Sequence, residues 1–232
     1  VSATTGSGRP TPEAPQFDRG PEPEFAVLGV HPVRHAAAPM LALELRVSEP
    51  SEREVYLIAL RIGLMLEPAR RRYDPATRER LVELFGASER WATSTRSLLW
   101  SQLDVLVPPF TGHTRVTVPV PCSYDLELAA VKYLHSLSDG EAPCALHFNG
   151  TIYYRAPDDQ LRIVLVPWNR SIDFRLPVAV WRATIEHYYP NTSWVAVRRE
   201  TLAALQREKL ARGLPTNDAC LQALLAEGSG AA

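Results

Sequence analysis

The chain of 232 residues is 46% hydrophobic and 22% charged, with 25 basic against 26 acidic side chains. That is enough apolar material for a buried core without disulfide staples. A net charge of −1 supplies no field to hold a polyanion, which argues against nucleic acid or an anionic membrane surface as a partner.

Residues 1–24 carry Pro10, Pro12, Pro15, Pro21 and Pro23 and almost nothing to bury, so they read as a disordered Pro/Gly-rich tail, with order starting near Phe25. A β-sandwich domain is expected over 25–176, interrupted by helices. Leu41, Leu43, Leu45 and Val47 alternate with Ala42, Glu44 and Arg46, the pattern of a half-buried strand. After Ser48–Ser51, Tyr56, Ile58, Leu60, Ile62 and Leu64 form one face. Val55, Leu57, Ala59 and Met65 make the other face largely apolar too, which predicts a central or covered strand. Asp74 as N-cap, Pro75 as first helical residue and Gly86 as terminator delimit a helix. Strands resume at Leu98–Val107 and Arg115–Val120, and a helix is predicted from a Ser123 cap to Gly140 on the spacing of Leu126, Ala130, Tyr133, Leu134 and Leu137.

The clearest strand spans Cys144–Arg155. Cys144, Leu146, Phe148, Gly150, Ile152 and Tyr154 lie on one side; His147, Asn149, Thr151, Tyr153 and Arg155 lie on the other with Ala145. A turn at Pro157–Gln160 leads into Leu161–Trp168 as the second arm of a hairpin, and Ile172, Phe174 and Leu176 continue the alternation. From Pro177 the period becomes helical, with helices over about 178–188, about 200–212 and from Asn217. Residues 177–227 are expected to pack on the sandwich as a helical appendage, and 228–232 to form a disordered tail. About eight strands without a strand-helix-strand rhythm predict a mainly β, α+β fold: an antiparallel β-sandwich with inserted helices.

The chemistry is sparse. Cys122, Cys144 and Cys220 are odd in number and far apart, neither a disulfide framework nor a zinc-ligand pattern, and point to a reducing compartment. No apolar run suits a signal-peptide core or a membrane helix, so the expected location is the cytoplasm. The glycosylation-type triplets at Asn149, Asn169 and Asn191 then carry no weight. Pro32 separates His31 from His35, and strand alternation sends Cys144 and His147 to opposite faces, so neither pair makes a local metal site. A zinc site from Cys122, Cys144, His113 and His147 would need the fold to gather them. Cys122 precedes the predicted helix start, where a thiol pKa falls, but no histidine neighbours it. Glycines are scattered, with no phosphate-loop fingerprint. No metal, cofactor or catalytic residue is predicted.

Aromatic residues say more. Trp91, Trp100, Trp181 and Trp194 read as core or helix-end anchors. Tyr153 shares a strand face with His147, Asn149, Thr151 and Arg155, and with Trp168 these are the candidate binding residues. The competing expectation is that one of the chain's own helices covers that face.

The runs Pro119–Glu127 leading to Lys132-Tyr133-Leu134, Phe148–Tyr154, Pro167-Trp168, Leu176–Trp181 and Tyr189-Pro190-Asn191 resemble a family of actinobacterial proteins of unknown function, often encoded among nickel-iron hydrogenase structural and maturation genes. The resemblance covers about Phe25–Leu214. It implies an accessory or assembly role and a protein partner, a hydrogenase subunit or maturation factor, and supplies no catalytic residues. The leading expectation is therefore a non-enzymatic binding or assembly protein. The alternatives are a sandwich that binds a small ligand or carbohydrate, and a metal- or thiol-dependent enzyme built on Cys122, Cys144 and the histidines.

Overall fold

The computed structural model of the protein describes residues 20–91, 95–122, 125, 128–192 and 195–229. Eight strands form two antiparallel sheets: β1 (Glu24–Pro32), β2 (Met40–Ser48) and β5 (His113–Pro121) in one, and β3 (Val55–Leu66), β4 (Leu98–Val107), β6 (Glu141–Arg155), β7 (Leu161–Leu165) and β8 (Ser171–Pro177) in the other. The first has the order β1-β2-β5. The second has the order β4-β3-β6-β7, with β8 also paired to β6. The 15 residues of β6 are long enough for both: Glu141–His147 face β8 and Thr151–Arg155 face β7. The Pro157–Gln160 turn is present, with Asp159 at positive φ and its amide donating to the Ala156 carbonyl.

Alternation decides what goes inside. Leu41, Leu43 and Leu45 oppose Val120, Val118 and Val116 across the first sheet, all turned into the core. From the second sheet, Ile58, Ile62, Leu64 and Leu66 meet Ile152, Phe148, Leu146 and Cys144 across β3 and β6. Phe25 stacks on Phe148 at 4.1 Å and 11°, joining the sheets. Each such aliphatic side chain cut back to alanine costs about 2–5 kcal/mol.

Strand β1 escapes a period-two reading for a local reason. A bulge between Val27 and Gly29 shifts the register against β2, so Phe25 and Val27 fall out of phase with Val30. Gly20–Pro23, placed by sequence in the tail, pack at the edge of the sandwich: Pro21 and Pro23 are buried, and Glu22 pairs with Arg170 at 3.1 Å.

Among the described residues there are five α-helices: α1 (Pro75–Phe85), α2 (Ala129–Ser136), α3 (Val178–Tyr188), α4 (Arg199–Ala211) and α5 (Asn217–Ser229). Helix α2 starts at Ala129, later than expected from the Ser123 cap; Ser123 and Leu126 lie outside the described residues, as does Trp194. Helix α1 packs on α2, with Phe85 against Tyr133. Helix α2 touches β4, and its C-terminal carbonyls accept from Arg80 at Ser136 and from Arg182 at Leu137, placing cations at the negative end of the helix. Helix α3 buries Val178, Trp181 and Ile185 against β1, β2 and β8. Helix α3 lies on the sandwich, and α4 and α5 pair with one another and leave Leu210 and Leu225 at 76% and 70% exposure. Helix α5 continues to Ser229, beyond the expected helical boundary at 227.

Helix α1 carries the predicted cap. The Thr77 hydroxyl and amide both donate to Asp74 and hold its carboxyl below the usual carboxylate range. A lowered folded-state pKa means the charge stabilises the fold above about pH 4 and that this contribution fades as the pH falls through the folded value. Asp74→Asn should therefore lower the melting temperature at neutral pH and approach wild type as the pH falls through the lowered folded-state value. A deficit unchanged at acid pH would contradict a role for the charge.

Candidate interaction surface

The core-facing side of β6 fixes its other side by alternation. His147, Asn149, Thr151, Tyr153 and Arg155 project from the outer face of the second sheet, where His147, Asn149 and Arg155 are exposed and Thr151 and Tyr153 half-buried. Among the described residues the main contacts of the α-helices with strands fall on β4, β1, β2 and β8. The neighbours of Tyr153 across the sheet lie on the flanking strands.

Register supplies those neighbours. Leu57, Tyr153 and Ile163 form one row across β3, β6 and β7; Leu106, Ala59, Thr151 and Leu165 form the next, starting from β4. Below them the face turns polar: Asp104, Arg61 and Asn149 share a row, then Gln102, Gly63 and His147. Arg61 Nε donates to Asp104 at 2.7 Å with both side chains well exposed, a pair that contributes little stability. At the opposite end Arg155 is engaged within the chain, donating to Asp159 at 2.6 Å and lying 3.3 Å from Glu54. It bounds the surface.

The aliphatic half is open to solvent. Leu106 and Leu165 are each 69% exposed, Ile163 63% and Leu161 58%. Trp168, in the turn between β7 and β8, is 92% exposed. At roughly 100 Å² for a fully exposed aliphatic side chain, the four aliphatic side chains present on the order of 260 Å² of apolar surface, close to the few hundred Å² beyond which contiguous apolar patches become uncommon on a monomer. Strand β7 also ends the sheet order, paired by β6 on one side and by no described strand on the other, so its ladder edge borders the patch.

Sequence reasoning found the β6 residues and Trp168 but missed Leu106, Ile163 and Leu165. The available signal was Leu161, Ile163 and Leu165 alternating with Arg162 and Val164. Which of those sides faces out depends on cross-strand register. Where the polar and apolar rows meet, the small residues Ala59 and Gly150 leave a groove of about 320 Å³, flanked by Arg61, Asp104, Leu106 and Asn149.

The thiols do not join this surface. Cys122 and Cys144 are buried, donate weakly to the Val120 and Ala142 carbonyls, and are each pushed up to about 12 by burial. Cys122 lies seven positions before the first residue of α2, so the helix-terminus activation considered from sequence does not apply. Cys144 points into the core while His147 points to solvent, and no group of three or more metal-ligating side chains occurs among the described residues. All three cysteines are buried, so a chromogenic disulfide reagent at neutral pH should titrate none of them quickly in the native protein and all of them after unfolding. Fast modification of Cys122 would contradict its placement.

A family model described as a family of unknown function, DUF6084, matches residues 20–232, and the chain belongs to that family. No curated protein is similar to it at a significant level. Among solved structures it is similar to a late embryogenesis abundant-type protein, at 15% identity over 67% of this chain and 71% of that one with a TM-score of 0.30. It is also similar to an ApaA-type protein from Bordetella pertussis, at 11% identity over 68% and 94% with a TM-score of 0.24. Neither superposition is close enough to carry over a function.

Proposed function

We propose that the protein is a non-enzymatic binding or assembly factor of the cytoplasm that docks another protein on the outer face of its second sheet. The observation that carries this reading is the apolar band formed by Leu106, Ile163 and Leu165 beside Tyr153, left open by the chain's own helices. Its polar flank of Arg61, Asp104 and Asn149 resembles the rim that surrounds the apolar centre of a protein interface. The exposed leucines of α4 and α5 are a second surface consistent with assembly. The partner class favoured by the sequence resemblance is a nickel-iron hydrogenase subunit or maturation factor of an actinobacterial host.

The test is purification of the tagged chain from such a host, alongside Ile163→Lys/Leu165→Lys and a control, Thr117→Lys, on the other sheet. Wild type and control should retain the same hydrogenase-related protein in stoichiometric amount, and the double variant should lose it. Equal recovery with all three, or monomer throughout, would contradict the reading. A second reading, a small-ligand sandwich, is favoured by the groove beside Arg61 and Asn149, whose volume of about 320 Å³ lies at the low end for such sites. Saturable quenching of tryptophan emission by a sugar, abolished by Asn149→Ala, would support it.

A further inference from the structure

A larger cavity, of about 590 Å³, lies away from the sheet face, among the residues that lead into and follow α1. Its lining carries three guanidinium groups, Arg71, Arg72 and Arg78, against one carboxylate, Glu89. Arg71 is fixed in the wall: it donates to the Asp139 and Glu141 carbonyls at 2.8 Å each and lies over the Tyr73 ring at 5.9 Å. Arg72 and Arg78 make no ion pair with a carboxylate among the described residues. Asp74, which lies between Arg72 and Arg78 in sequence, has its oxygens committed to Thr77.

The neutral groups in the lining add donors. The Thr95 hydroxyl is buried and has no hydrogen-bond partner among the described residues. A buried hydroxyl without a partner loses its hydration with nothing in return, so such groups call for an explanation. Trp91 forms an apolar wall, edge-on to Tyr73 at 5.6 Å, with its own N–H already donated to the Gly86 carbonyl. A cavity with excess positive charge, an unused hydroxyl and an aromatic wall complements an oxyanion attached to a small body. Planar guanidinium forks match phosphate geometry bidentately.

We propose that this cavity binds a phosphate-bearing small molecule, with Arg72 and Arg78 holding the phosphate and Thr95 donating to it. The test uses the full chain in buffer free of phosphate and sulfate, titrated separately with pyrophosphate and with citrate. Melting temperature and tryptophan emission, to which Trp91 contributes, are the readouts. Pyrophosphate should bind saturably and raise the melting temperature. The Arg72→Ala/Arg78→Ala variant should bind at least about tenfold more weakly while melting, without ligand, like wild type, and Arg115→Ala on the first sheet should bind normally. No saturable binding at millimolar pyrophosphate, undiminished binding by the double variant, or citrate binding as tightly as pyrophosphate would each overturn the proposal.

Discussion

Valine in place of Gly150 should abolish folding, and alanine should cost about 3 kcal/mol or more, read as a fall in denaturant midpoint or loss of soluble protein. Gly150 sits at φ +148°, a conformation that side-chain-bearing residues rarely adopt, and a Cβ there would lie 2.1 Å from the Ala59 carbonyl oxygen and 3.1 Å from Leu60 Cα. Both obstacles are backbone, and β3 cannot retreat because β4 pairs with its far side. With total stabilities of about 5–15 kcal/mol for domains, a clash of this kind competes with the whole fold. Gly63 is the control, on the same pair of strands. A Cβ there meets nothing closer than His147 Cβ at 3.9 Å, so Gly63→Ala should shift stability by less than about 1 kcal/mol. A Gly150→Ala protein as stable as Gly63→Ala would show that β3 and β6 do not approach as described.

The second large effect concerns binding rather than folding. Ile163→Lys/Leu165→Lys should weaken partner binding by at least about a hundredfold, since placing two ammonium groups in the apolar centre of an interface leaves them buried and unpaired at a cost of about 3 kcal/mol or more, and 1.4 kcal/mol is a factor of ten. The isolated protein should barely notice. Both side chains are already more than 60% exposed, and exposed substitutions away from special backbone positions stay within about 0.5 kcal/mol. Lysine is also the residue that natural sheets place on their edges. Separation of the two measurements is the point: unchanged melting with lost binding supports a docking face, whereas parallel losses would mean that these side chains serve the fold.

Much of the architecture is readable from period-two patterns where the chain keeps them. Strand β5 alternates without interruption, β2 and β6 alternate over their C-terminal parts, and β3, apolar on both sides, is indeed central. The cap of α1 follows from Asp74, Pro75 and Gly86. What escapes is whatever depends on relations between segments. The bulge in β1 breaks the phase of its apolar residues, and no local pattern reveals that β7 and β8 share one long partner. The binding surface divides along the same line. His147 to Arg155 lie on one strand, so alternation alone places them together. Leu106, Ala59 and Leu165 become neighbours of Thr151 only through the registers of β4, β3 and β7. Local alternation thus reveals the β6 side of the surface, and the aliphatic side is assembled by the sheet.

Site-specific photo-crosslinking addresses that surface most directly. A benzophenone side chain at position 163, introduced into the full chain in its host, should give one discrete adduct with the partner. The same group at position 117, on the outer side of the first sheet, should give none. An adduct at 117 but not at 163 would place the partner on the other sheet and contradict the account.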